Sequence, residues 1–161
     1  MLRIRLTTGM TALALLFMTG NAWADRYCAA PREATALNAA ALQQKLMVAA
    51  LTCNQTALYN RFVISYRPEL QRSDTTLAAY FLRRDHRRGT ADYHAFKTKL
   101  ANDASLQSLH NPSYCAEARA VFDVALNQRN QPLADLVSSQ PPIAEVSERS
   151  CSHGPRFAGQ P

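Results

Sequence analysis

Four cysteines are the residues whose chemistry this sequence leaves most open: Cys28, Cys53, Cys115 and Cys151. A catalytic or redox thiol needs a lowered thiolate pKa, and redox proteins commonly place two cysteines two residues apart. No such pair occurs in this sequence. Structural zinc sites also need closely spaced ligands, and among the four only Cys151 has a histidine, His153, close by. An even number of cysteines in an exported chain instead favours two disulfides.

A basic segment, residues 80–99, is the second candidate for a functional role. Its cations are Arg83, Arg84, Arg87, Arg88, Lys97 and Lys99. The four arginines recur at helical spacing, so they crowd one side of a helix, where like charges repel by a few tenths of a kcal/mol. That cost favours contact with an anionic partner, such as lipid head groups, a cell-wall polymer or an acidic protein face. The alternative is a solvated helix end whose cations complement the helix dipole.

The other polar side chains give no recognisable catalytic or metal-binding pattern. His86 and His94 have Asp85 and Asp92 beside them, but their spacing matches no metal motif and the surrounding cations oppose metal binding. The sequence contains no GxSxG, HExxH or glycine-rich nucleotide loop. We expect the carboxylates nearest to apolar stripes to face solvent or form ion pairs; these are Glu69, Glu117 and Asp123. The sequence therefore predicts no enzyme activity, no metal and no cofactor.

The N-terminal residues predict export. Arg3 and Arg5 precede an apolar run at residues 11–18 that is too short to span a bilayer, and small residues follow up to Ala24. We expect cleavage between Ala24 and Asp25. Because cleavage removes two arginines, the net charge falls from +6 to +4. Export also argues against nucleic acid as a partner.

The composition after residue 24 predicts an all-α fold. Glycine occurs there at three positions, Gly89, Gly154 and Gly159, while alanine and leucine are abundant. Few glycines leave little provision for β-turns or phosphate-binding loops. We therefore predict a small disulfide-stapled bundle of four to five helices with an irregular C-terminal tail.

Apolar periodicity and capping residues give the approximate limits of each helix. The predicted runs are residues 37–53; a second helix capped by Asn54 or Thr56 and broken or kinked at Pro68; a third from Ser73 or Asp74 to Arg88, stopped by Gly89; residues 92–110; a fifth capped by Ser113 and reaching about Ala125; and a short turn at 133–137. The domain prediction is a signal peptide at 1–24, a helical domain at 25–137 and an extended or mobile tail at 138–161.

Two disulfide pairings are compatible with this helix order. If the second and third helices form one bent arm, the end of the first helix and the start of the fifth meet at one end of the bundle. Cys53 then pairs with Cys115, and Cys28 pairs with Cys151. If the chain reverses fully at Pro68, Cys28 instead meets Cys115 and Cys53 meets Cys151. We favour the first arrangement.

Residues 42–126 resemble a group of small exported bacterial helical proteins of unknown function. The likeness rests on LQQKLMVAALTCNQTALYNRFV, the following LAAYFLRR segment and DYHAFKTKLANDAS. It implies a helical protein of the bacterial periplasm, or a secreted one, and carries over no catalytic residue.

Two functions remain compatible with these observations. The first is a non-enzymatic binding or envelope-interaction protein that uses the basic segment to contact an anionic envelope component or an acidic protein surface. The second is a small-ligand carrier that uses the interior of the bundle, which would be lined by Tyr59, Phe62, Tyr66, Tyr80 and Phe81.

Overall fold

The computed structural model describes residues 28–127, 131–141 and 143. These residues contain six helices: α1 (Pro31–Thr52), α2 (Thr56–Ser65), α3 (Arg67–Arg84), α4 (Gly89–His110), α5 (Tyr114–Asn127) and α6 (Leu133–Ser138). They confirm the predicted all-α, disulfide-stapled bundle. The predicted signal peptide, Cys151 and most of the predicted tail lie outside the described residues.

Helix α1 lies at the centre of the bundle and contacts each of the other five described helices. It begins at Pro31, where a missing backbone N–H costs little, and the Glu33 carboxylate accepts a hydrogen bond from the backbone N–H of Ala30 at 2.8 Å. Its first turn is polar, which is why the apolar pattern places the start later, at Leu37. Alanines on several faces of α1 let neighbouring helices approach closely, so it is buried on more than one side.

The chain leaves α1 through a residue in the left-handed region. Asn54 has a φ of 56°, which a short polar side chain tolerates. The N–H of Gln55 donates to the carbonyl of Ala50 at 3.0 Å, as in a Schellman motif, and the Thr56 hydroxyl donates to the same carbonyl at 3.1 Å. The prediction that Asn54 or Thr56 caps α2 is therefore wrong, because the residue at the N-cap of α2 is Gln55. Asn54 lies in the turn that ends α1, and Thr56 is the first residue of α2, with its hydroxyl bonded back to α1.

Pro68 marks the break between α2 and α3, as predicted. It lies in the first turn of α3, where its missing N–H has no helical acceptor to lose. The prediction that Ser73 or Asp74 caps this helix is wrong, because α3 begins at Arg67 and both residues lie in its interior.

Gly89 begins α4, whereas the sequence predicts that it ends the preceding helix. Helix α3 stops at Arg84, and a short turn leads to α4. A Cβ on Gly89 would lie 2.7 Å from the carbonyl oxygen of Phe81 and 2.7 Å from the Cα of Leu82. Since its φ is not positive, the close approach of two backbones requires glycine here, and left-handed geometry does not.

Two clusters of buried side chains divide the core between the halves of α1. The C-terminal half of α1 packs with α2, α5 and α6 around Phe62, and the N-terminal half packs with α3 and α4 around Tyr80. Leu100 of α4 belongs to the Tyr80 cluster and Ala104 to the Phe62 cluster. Helix α4 therefore runs beside α1 in the same direction.

A disulfide joins Cys53 at the end of α1 to Cys115 at the start of α5, with 5.6 Å between the two Cα atoms. This is the pairing that the sequence favoured for these two cysteines. The amide of Gln55 reinforces the junction by donating to the Cys115 carbonyl at 3.1 Å. The pairing of Cys28 with Cys151 stays a prediction, because Cys151 lies outside the described residues.

Candidate functional site

The six cations of the basic segment do not form a single surface. They lie at four places: the contact between α3 and α1, the turn between α3 and α4, the contact between α3 and α4, and a groove between α4 and α1. Each place gives its cations a different set of neighbours.

Arg83 is used inside the bundle. Its Nη2 lies 2.6 Å from Oε2 of Glu33 and its Nε donates to Oε1 of Glu33 at 3.2 Å, a two-point contact that ties the end of α3 to the start of α1. Nη2 also donates to the carbonyl of Cys28 at 3.3 Å. The side chain therefore has a structural role that the sequence pattern did not reveal, since Glu33 is fifty residues away.

Lys97 belongs to a hydrogen-bonded group between α3 and α4. Its ammonium donates to Oδ1 of Asp74 at 2.9 Å and to the hydroxyl of Tyr93 at 3.0 Å, and that hydroxyl donates to Asp74 at 2.7 Å. Partial burial favours the neutral form of Asp74, but the hydrogen bonds from Tyr93 and Lys97 outweigh it and lower the pKa of the carboxyl. Burial opposes the charge of Lys97 too, yet the same partners raise the pKa of its ammonium.

The turn between α3 and α4 is organised by Asp85. One of its carboxylate oxygens accepts hydrogen bonds from the backbone N–H groups of Arg87, at 2.8 Å, and Arg88, at 3.1 Å. Hydrogen bonds from Arg88 and then Arg87 lower the pKa of this carboxyl, so it stays ionised and fixes the turn. The side chains of Arg87 and Arg88 are exposed on the outside of the turn.

We call Arg84, Arg87 and Arg88 the arginine turn. The Arg84 guanidinium lies 5.5 Å from the centre of the Tyr80 ring, and Arg88 lies 3.8 Å from the carboxylate of Asp92. Within the described part of the chain, no acidic side chain lies within ion-pairing distance of Arg84 or Arg87. The buried Nε of Arg84 also has no hydrogen-bond acceptor there. Within the described residues, Arg84 and Arg87 therefore have no direct acidic partner, and Arg88 has only the exposed contact with Asp92.

A concave surface of about 610 Å³ lies between α1, α4, the end of α6 and the described residues that follow α6. We call it the α1–α4 groove. Its floor is apolar and is formed by Ala41, Leu42, Leu100 and Ala104, with Val137, Pro141 and Ile143 along one side. The two alanines give the groove its depth, because larger side chains at those positions would fill it.

Two lysines stand on opposite walls of the groove. Lys45 of α1 donates to Glu117 at 3.0 Å, and Lys99 of α4 donates to Asp103 at 2.7 Å. The side-chain amide of Asn111 and then Lys45 lower the pKa of the Glu117 carboxyl by donating hydrogen bonds to it. Lys99 is thus a groove residue, and it lies apart from the arginine turn with which the sequence grouped it.

The aromatic residues predicted to line a ligand cavity are part of the packed core. Phe62, Tyr66, Tyr80 and Phe81 are at most 5% exposed, and Tyr59 is partly buried against the same core. Phe62 and Tyr66, for example, have ring centroids 5.2 Å apart. None of the five rings borders the groove.

The three carboxylates near the apolar stripes have separate structural partners. Glu117 pairs with Lys45 and Asp123 with Arg119, the latter at 3.2 Å. Glu69 instead accepts a hydrogen bond from the backbone N–H of Leu133 at 2.9 Å, which satisfies the first turn of α6. In the described ranges, no three His, Cys, Asp or Glu side chains are arranged to hold a metal ion, and no helix has the length and hydropathy of a membrane span.

The groove and the Glu33–Arg83 contact are the features that sequence reasoning missed. Alanines at Ala41 and Ala104 were the available signal, but alanine is common throughout α1 and marks no groove by itself. Comparison with known proteins adds no relative, because no family model, curated protein or solved structure matches this chain.

Proposed function

We propose that this protein is an exported, non-enzymatic binding protein of the bacterial envelope, and that its arginine turn contacts an anionic envelope component. The observation that carries the proposal is the pair of exposed arginines, Arg87 and Arg88, on a turn whose backbone is fixed by Asp85, beside a third arginine without an acidic partner in the described residues. Guanidinium groups suit phosphate and carboxylate groups, which they contact through two hydrogen bonds at once.

The proposed partner is a surface that carries phosphate groups, such as anionic lipid head groups. Cations near such a surface each contribute about 1 kcal/mol, and this attraction falls off within about 10 Å at 0.1 M salt. Two exposed arginines would therefore contribute about 2 kcal/mol, or roughly 30-fold in affinity. An acidic protein surface remains the second partner compatible with the same charges.

The test is co-sedimentation of the oxidised protein with vesicles that contain phosphatidylglycerol, compared with vesicles of phosphatidylcholine alone. The variant Arg87→Gln/Arg88→Gln should bind the anionic vesicles roughly 30-fold more weakly. The matched control is Arg67→Gln/Arg72→Gln, which removes the same charge from two exposed positions on α3 and should bind like the wild type.

Three results would contradict the proposal in different ways. Absence of binding to anionic vesicles would exclude lipid head groups as the partner. An equal loss in the control variant would show that net charge, rather than the arginine turn, determines binding. Binding that is insensitive to 0.5 M salt would exclude an electrostatic contact altogether.

The alternative function, a small-ligand carrier, is not supported in the form that the sequence suggested. Its proposed lining is occupied by ring-to-ring packing, as the contact between Phe62 and Tyr66 illustrates.

A further inference from the structure

We propose that the α1–α4 groove binds the acyl chain of a molecule with an acidic head group. The proposal is independent of the arginine turn and concerns a different face of the bundle. It rests on the size of the groove, the chemistry of its floor and the position of its cations.

The size of the groove matches a small-molecule site. Its volume of about 610 Å³ falls within the range of roughly 300 to 1,000 Å³ typical of ligand pockets. Along α1 it extends from Asn38 to Lys45, and along α4 from Lys99 to Gln107. At 1.5 Å per helical residue, these spans correspond to about 10 to 12 Å, which gives the site an elongated shape.

The floor of the groove suits hydrocarbon rather than a polar molecule. Ala41, Leu42, Leu100 and Ala104 are each at most 6% exposed, so the helices are packed tightly beneath it and its walls are continuous. Apolar burial then supplies the affinity.

The head group is selected by the ends of the groove. Lys99 stands at the end near Asn38, and Lys45 stands at the other end on the opposite wall. Lys99 is kept oriented by Asp103, which also lines the groove, and Lys45 by Glu117. An acidic head group would share these lysines with the carboxylates and would not have to order a mobile side chain. Lys99 is the more exposed of the two and is assigned to the head group.

The probes are dodecanoic acid, dodecanol and dodecylamine, each titrated calorimetrically below its micelle concentration into the oxidised protein. The acid should bind most tightly and the amine least, with a negative heat-capacity change from apolar burial. Shortening the acid should weaken binding by up to roughly fourfold for each methylene removed. A lysophosphatidylglycerol with the same chain tests a lipid-derived ligand, and the tighter of the two acidic probes identifies the source.

Three variants make the test specific. Ala104→Leu and Ala41→Phe fill the groove and should abolish binding; using two positions covers the case in which one variant does not fold. Lys99→Gln should weaken the acid about tenfold, the loss expected for one charge-assisted hydrogen bond, without affecting dodecanol. Arg87→Gln/Arg88→Gln should bind the acid like the wild type, and Ala104→Leu should still bind anionic vesicles, which separates this proposal from the one above.

The proposal is overturned if none of the acidic probes binds, or if a folded groove-filling variant binds them as well as the wild type. Equal affinities for acid and amine would overturn the assignment of the head group. Loss of acid binding in the Arg87→Gln/Arg88→Gln variant would transfer the site to the arginine turn.

Discussion

Replacing Gly89 by alanine should destabilise the protein, although alanine is the better helix former. Helix propensity favours alanine over glycine by at most about 1 kcal/mol in a helix interior. The added methyl group would lie 2.7 Å from the Phe81 carbonyl oxygen and from the Cα of Leu82. These are backbone atoms that cannot rotate away, so the cost falls near the upper end of the roughly 1 to 3 kcal/mol expected for overpacking. The net loss should therefore be about 2 kcal/mol.

The assay is urea unfolding followed by far-UV circular dichroism, with thermal unfolding as a second measurement. A loss of about 2 kcal/mol corresponds to a fall of roughly 8 °C in Tm for a domain of this size. Thr90→Ala is the matched control, because Thr90 is the next residue of α4 and is exposed. This control gains helix propensity without a new contact and should be unchanged or slightly more stable.

The reasoning would be refuted if Gly89→Ala were as stable as the wild type, or more stable, while Thr90→Ala behaved as expected. That outcome would mean that the end of α3 and the start of α4 do not approach as closely as described. A loss shared by both variants would instead locate the effect in the helix terminus, and the contact argument would fail as well.

Two further predictions concern stability. In the variant Cys53→Ser/Cys115→Ser, the free energy of unfolding in urea should fall by about 4 kcal/mol, because the disulfide closes a loop with a sequence separation of 62. A fall of less than about 1 kcal/mol would contradict the chain-entropy argument. In the wild type, non-reducing peptide mapping should show a bond between Cys28 and Cys151. Asp74→Asn should be less stable than the wild type above about pH 5, and the difference should disappear as pH falls through the lowered folded-state pKa of Asp74. The reason is that a carboxyl group with a lowered pKa stabilises the fold only while it is ionised. An equal difference in the free energy of unfolding at pH 7 and pH 2.5 would refute this role.

Local signals explain why much of the fold was predictable. Proline lacks a backbone N–H donor, so the break between α2 and α3 at Pro68 follows from the identity of a single residue. The bent arm in turn places Cys53 opposite Cys115, so the disulfide follows from helix order and approximate lengths. The errors at Asn54 and Gly89 have a different origin: each residue has properties that suit two adjacent helix ends, and tertiary contacts decide between them.

The candidate site was less predictable because its geometry is non-local. The sequence shows that residues 80–99 carry many cations, but Arg83 is committed to Glu33 by a contact across fifty residues. Lys99 similarly joins a groove whose other wall is α1, and nothing in the sequence of α4 indicates which helix lies beside it. A periodic pattern identifies the buried face of a helix; it does not identify the helix that covers it.

The central position of α1 has a consequence for the order in which the fold can be completed. This helix comes early in the described chain, yet it is covered by α3 and α4 on its N-terminal half and by α2, α5 and α6 on its C-terminal half. During synthesis from the N-terminus, Leu37 and Leu46 stay exposed until the helices that cover them, which lie up to about a hundred residues later in the chain, have been made. Native burial of α1 can therefore be completed only after α6 has been synthesised.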